Sequence, residues 1–193
     1  FNTKTNFKNS KLLIDFLDYE KKENVDATII AKGTFKNDNP INFDLISIVE
    51  KDNRISFRNL NLSKNFKVIS MDSFNFNYLN NNKIKNQLFL TKNNSNYVLK
   101  GESFDAKKLI NKVMDNDDEN SSLFDNFNSM INLNINKVFI DEVNFMSGLS
   151  GTLNYKNNKI VNLDIRSFFS NNKTINLSIK TNGRQEKITK LST

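Results

Sequence analysis

The sequence predicts an all-β chain with one or two short helices: an antiparallel meander sheet curled into an elongated groove or open, barrel-like trough. Three observations predict it. Apolar and polar residues alternate with a period of two over most of the chain, as in "INLNINKV" at 131–138, the pattern of a half-buried strand. The connectors between these runs are short and built of Asn, Asp and Lys, and strands joined so briefly run antiparallel. The apolar faces of roughly ten strands also exceed what two short helices can cover.

The elements follow in order. Residues 1–24 form an N-terminal extension, of which 1–9 are polar and read as loose. "SKLLIDFLDYEKKEN" at 10–24 offers Ser10 as an N-cap, apolar residues at 12, 13, 16 and 17, and a Lys pair near its end, which predicts a short helix. A first β-meander spans 25–100, with strands near 26–36, 41–50, 54–62, 65–79, 83–92 and 95–100. In "RISFRNLNL" at 54–62, Ile55 and Phe57 give way to Leu60 and Leu62, so the apolar side switches midway, as a bulge or strong twist allows. "GESFDAKKLINKVM" at 101–114 breaks the alternation. Its apolar residues Phe104, Leu109, Ile110, Val113 and Met114 have helical spacing and predict a helix over 104–114. A second β-meander spans 129–193. There Ile131, Leu133 and Ile135 alternate with Asn; Val143, Phe145, Leu149 and Leu153 share a side with Gly151; and Val161, Leu163 and Ile165 alternate with Asn162, Asp164 and Arg166. Ile175, Leu177 and Ile179 repeat the pattern. Whether all of this is one domain or a slice of a longer repeat-like protein, its 193 residues hold one apolar sheet face.

Each large apolar side chain left in water forgoes about 1.5–3 kcal/mol. Twenty or more such residues would cost tens of kcal/mol, beyond the ~5–15 kcal/mol margin of a fold. Periodicity leaves three solutions open: closure into a sandwich or barrel, stacking against a neighbouring repeat, or an apolar ligand.

Composition excludes several chemistries. With no Cys and no His there are no disulfides, no thiolate metal sites, and no imidazole or thiol catalysis. The net charge of +7 comes from lysines scattered singly, with Arg only at 54, 58, 166 and 184, so it reads as a solvated surface and not as a nucleic-acid site. "MDNDDENSSLFDN" at 114–126 resembles a calcium loop but has Asn120 where Gly is needed and Asn126 where a bidentate Glu is needed. It reads as a solvated loop, and no metal is expected. Carboxylate pairs such as Asp141–Glu142 adjoin apolar strands without forming a recognisable catalytic set. No cofactor motif occurs, and the chain is expected not to be an enzyme.

The strand ending in "LKGESFDAKKLINKVM", the strand "INLNINKVFI" and the run "LSGTLNYKNNKIVNLDIRSFF" together resemble the periplasmic AsmA-like superfamily, in its YhdP- and TamB-related branch. Gly101, Phe104, Asp105, Ala106, Leu109 and Ile110 fit its strand-to-helix step. Leu149, Gly151, Leu153, Ile160, Leu163 and Ile165 fit its strands. The likeness covers roughly residues 95–193; residues 25–94 share only the texture, and Asn replaces the usual Gly of the hairpin after "LNY". The resemblance implies a periplasmic trough, anchored in the inner membrane by a segment not present in this chain, that holds phospholipid acyl chains in transit between the inner and outer membranes. The short helix would be a local plug or edge cover. The residues expected to line the trough are Ile131, Leu133, Ile135, Val143, Phe145, Leu149, Leu153, Val161, Leu163, Ile165, Ile175 and Leu177. The rival expectation is a non-enzymatic adhesion or structural β-sandwich of the envelope. A carboxylate-based hydrolase is a third, and would need two acids about 5–10 Å apart in a cleft.

Overall fold

The computed structural model describes residues 1–35, 40–114, 124–156, 159–169, 173–181 and 187–192. Strands β1 (Asn2–Asn6), β2 (Leu12–Ile14) and β3 (Tyr19–Lys21) open the chain, with a 3₁₀ turn at Asp15–Leu17 between the last two. The first meander follows: β4 (Thr28–Thr34), β5 (Ile41–Glu50), β6 (Asn53–Leu62), β7 (Val68–Ser70), β8 (Ser73–Leu79), β9 (Lys85–Asn93) and β10 (Asn96–Asp105). After helix α1 (Lys107–Met114) come β11 (Ser129–Phe139), β12 (Phe145–Lys156), β13 (Lys159–Phe168), β14 (Thr174–Thr181) and β15 (Lys187–Ser192).

Thirteen strands form one sheet in the order β1-β4-β5-β6-β8-β9-β10-β11-β12-β13-β14-β15, with β7 alongside β6; β2 and β3 make a separate hairpin. The sheet is not closed into a barrel. It keeps two edges, β1 and β15. The predicted all-β class and meander are therefore present, whereas two large stacked sheets do not occur among the described residues. Neighbours pair antiparallel except β10 and β11, which are parallel. A parallel pair needs a crossover, and the segment containing α1 supplies it. The helix thus divides the two meanders, as expected, and also reverses the sense of pairing.

Four sequence expectations are corrected. Residues 1–9 are not loose: Asn2–Asn6 pair with Thr28–Lys32 as an edge strand, which needs backbone hydrogen bonds and no apolar pattern. Residues 10–24 do not form a helix. Asp18 takes a left-handed conformation (φ 51°) and turns the chain back, so Leu12–Ile14 pair with Tyr19–Lys21. The predicted strand at 65–79 is two strands, β7 and β8. The helix predicted over 104–114 starts at Lys107, and Phe104 belongs to β10. Asp105 makes that switch: its N–H donates to Asn86 Oδ1 (2.8 Å) while its carboxylate accepts the Lys107 N–H (3.1 Å) and Asn80 Nδ2 (2.7 Å). A carboxylate accepting the N–H two residues on is the usual way to start a helix.

The core lies on one face of the sheet in two clusters. One joins Ile55, Phe76, Tyr78, Leu88, Phe104, Ile135, Val138 and Leu149 of the sheet to Leu17 and Tyr19 of the hairpin, with Ile110 of α1 packed against it. The other joins Leu60, Met71, Leu90, Tyr97 and Phe127, flanked by Val68, Phe124 and Tyr155. Several strands switch their inward side, and in two of them the switch falls at a residue with positive φ. In β6, Asn59 (φ 47°) lets both Phe57 and Leu60 face inward, the switch expected in "RISFRNLNL". In β12, Gly148 (φ 60°) does the same for Met146 and Leu149. Glycine suits this position because it lacks the Cβ that disfavours positive φ.

Candidate functional site

The N-terminal hairpin and α1 cover the middle of the apolar face, and named polar contacts pin them there. The Tyr78 hydroxyl donates to the Leu17 carbonyl (2.8 Å), and the Tyr19 hydroxyl donates to Glu50 Oε2 (2.5 Å). Burial, and then Glu50 for Tyr19 and the charges of Asp105 and Asp18 for Tyr78, push both phenols well above the ordinary tyrosine range. Lys108 of α1 reaches Asp15 (2.9 Å) and Asp18 (3.0 Å) of the 3₁₀ turn, and those hydrogen bonds raise its pKa. At the other end of the face, Phe124 stacks on Phe127 (4.8 Å between centroids) and Phe127 lies 5.5 Å from Tyr97. Protein therefore covers more of this face than two short helices alone would.

The register places each of the twelve expected trough residues. Partners across a ladder share a face, so the rows Ile131–Leu153–Leu163 and Leu133–Gly151–Ile165–Leu177, with the pair Ile135–Leu149, lie on the apolar side. Ile175, two residues from Leu177, shares that side. Val161 sits at a bulge in β13 with no partner on β12. Two expectations are corrected. Val143 is 79% exposed in the turn before β12 and lines nothing. Phe145 points to the opposite face from Met146, where it lies 5.7 Å from Phe139, with the Lys137 ammonium 4.3 Å from its ring. The cause is the switch at Gly148, which a strict period-two reading of 143–155 misses.

The remaining residues divide. Ile135 and Leu149 are buried in the first cluster, with Leu133 and Ile165 packed against it, and Ile131 packs against the second. Among the described residues neither cluster reaches β14 or β15. Among the described residues nothing covers the apolar face there. Ile175, Leu177 and Ile179 are half-buried, and Leu191, paired with Leu177, is 67% exposed. Ile179, partner of Leu163, and Leu191 belong to this strip although neither was among the twelve. The alternation of 175–179 already pointed to Ile179; Leu191 lies in a short, Lys-rich strand whose pairing no local pattern reveals. Spanning β13 to β15, the strip is about 10 Å across at the usual strand spacing. Covering Leu191 alone is worth about 1–2 kcal/mol.

Other candidates carry less. A shallow depression of about 310 Å³ between the ends of β11 and β12 has a mixed polar and apolar lining that includes Asn96, Asn128, Ser129, Met130, Asn154 and Tyr155. Asp141 caps its turn by accepting the N–H groups of Val143 (2.9 Å) and Asn144 (2.7 Å). With the Asn144 side chain as the leading cause, these contacts lower its pKa. Its neighbour Glu142 lies 3.8 Å from Lys107, so the pair is occupied in holding a turn. Among the described residues no group of three acidic side chains is placed to hold a metal ion. The acidic stretch at 115–123 lies outside the described residues. Among the described residues no helix is long and apolar enough to cross a membrane. Comparison of the chain with protein-family models, with curated proteins and with solved structures finds no match in any of the three.

Proposed function

We propose that this chain is a lipid-holding segment of a periplasmic, AsmA-like bridge protein anchored to the inner membrane. It binds and does not catalyse. Its ligand is the acyl part of a phospholipid moving between the inner and outer membranes. The observation that carries this reading is the open apolar strip formed by Leu177, Ile179 and Leu191, with Ile165 and Ile175 at its edge. An acyl chain laid on it gains about 0.8 kcal/mol for each methylene withdrawn from water. The sheet supports the reading because it leaves a face continuous from covered core to open strip, where a sandwich would cover that whole face with a second sheet. The trough in this proposal is narrower than the alternation implied, since the middle of the face is filled by the chain's own hairpin and helix.

The experiment is binding of a fluorescent fatty acid to delipidated protein. Saturable binding is expected, weakened roughly tenfold, or about 1.4 kcal/mol, in the double variant Leu177→Asn, Leu191→Asn. Absence of binding, or equal binding by that variant, refutes the proposal and leaves the adhesive or structural reading.

A further inference from the structure

The alternation that builds the apolar face also sorts charge onto the other one. In β6, Arg54 and Arg58 alternate with inward Ile55 and Phe57; in β13, Arg166 alternates with Ile165 and Ser167. Lys100 pairs with Phe89, Lys32 shares the row of Arg58 through Leu45, and Lys180 pairs with Asn162. All six basic side chains are exposed and face away from the core. Three of the four arginines are among them; the fourth, Arg184, lies outside the described residues. Lysines that look scattered along the chain are thus gathered by the sheet into one array reaching from β4 to β14.

The array is poorly neutralised. Glu102, bonded to Asn136 (2.8 Å), and Asp164 lie on the same face, and Asp44 sits at the bend of β5. Lys137 and Lys190 add to the positive side. None of the six takes part in an ion pair among the described residues. Arg54 and Arg58 stand about 13 Å apart along their strand, and Lys32 lies about 10 Å from Arg58 across the sheet. Those separations match or exceed the ~8–10 Å screening length at physiological salt. Repulsion within the array is therefore small, while its attraction to an anionic plane adds residue by residue.

We propose that this basic face docks on an anionic phospholipid bilayer surface. Its charges spread over the breadth of the sheet and do not follow one groove, which suits a plane more than a strand of nucleic acid. Three rings that a base could stack on are occupied: Lys137 lies over Phe139 and Phe145, and the Arg166 guanidinium lies 5.3 Å from the Phe168 ring. Phe89, 44% exposed beside Lys100, is an apolar tip able to enter the headgroup layer. This docking does not depend on the acyl-binding strip, which occupies the other face.

The test is co-sedimentation of the chain with phosphatidylcholine vesicles, with and without phosphatidylglycerol, over a salt series. Binding that requires phosphatidylglycerol and fades with salt is expected. The triple variant Arg54→Ser, Arg58→Ser, Arg166→Ser should lose roughly fivefold per arginine, on the order of a hundredfold in all. A second set, Lys32→Ser, Lys100→Ser, Lys180→Ser, should lose a similar factor, which keeps the test decisive if the arginine variant fails to fold by circular dichroism. The Leu177→Asn, Leu191→Asn variant should bind these vesicles as the parent does, so failure of fatty-acid uptake and failure of docking are read separately. Equal binding to both vesicle types overturns the proposal, as does undiminished binding by folded basic-face variants. Tighter binding of a single-stranded oligonucleotide than of the anionic vesicles at the same salt overturns it too.

Discussion

Replacing Lys21 with Met tests whether the N-terminal cover is held as described. Lys21 is fully buried, yet its ammonium has no carboxylate beside it among the described residues. It donates instead to three backbone carbonyls, of Phe7 (2.6 Å), Lys8 (2.7 Å) and Ser10 (2.5 Å), and lies 4.9 Å from the Phe7 ring. One side chain therefore ties the loop after β1 to the hairpin. Hydrogen bonds from a charged group contribute about 1.5–3 kcal/mol each. Met preserves the length and apolar burial of the stem, so the loss is the three bonds less what water restores to carbonyls near the surface. The expected destabilisation is about 3 kcal/mol, a large part of a typical margin yet short of unfolding the chain. Urea denaturation of parent and variant measures it, with the slope held equal. A dye that reports exposed apolar surface should brighten in the variant as the cover loosens over Phe76 and Leu88. A loss under about 1 kcal/mol refutes the reasoning, because the three bonds would then contribute no more than one ordinary neutral pair.

Two further perturbations probe other parts of the account. Gly151→Ala should cost more than about 3 kcal/mol, since a Cβ there would stand 2.1 Å from the Asp164 carbonyl oxygen at a φ of 149°; a denaturation midpoint near that of the parent contradicts the tight β12–β13 approach. Raising pH should destabilise the fold above about pH 10. The buried phenols of Tyr19 and Tyr78 ionise later in the folded chain than in the unfolded one, so the unfolded state sheds its protons first and is favoured. Lys108 acts in the same sense: its raised pKa contributes stability in full below the unfolded value, and loses it as pH climbs through the folded value. Phenolate absorbance should lag until unfolding, and phenols titrating freely in the folded state would oppose this.

Much of the sheet was legible because burial on one side writes itself into the sequence every second residue. The strands of 129–181, the short turns and the switch at 58–60 follow from that one constraint. What was not legible depends on partners far along the chain. Asn2–Asn6 carries no apolar signal because an exposed edge strand is specified by backbone pairing alone. Leu12, Leu13, Phe16 and Leu17 suit a helix by spacing, yet Leu17 and Tyr19 are claimed by Tyr78 and the core beneath. Nothing local reveals the parallel pairing of β10 with β11, since it follows from where the crossover lands. Val143 and Phe145 were misplaced because a single left-handed glycine reverses the faces of β12. The basic array is the converse case: single lysines and arginines mean little in the linear sequence and acquire a common direction once the register is known.

The central claim is that the apolar face is closed over β6–β12 and open over β13–β15. Placing a photo-crosslinking side chain at Leu177, and separately at Phe76 beneath the hairpin, in protein incubated with phospholipid vesicles tests it most directly. The account predicts phospholipid adducts at position 177 and none at 76. Adducts at neither position, or equally at both, contradict it.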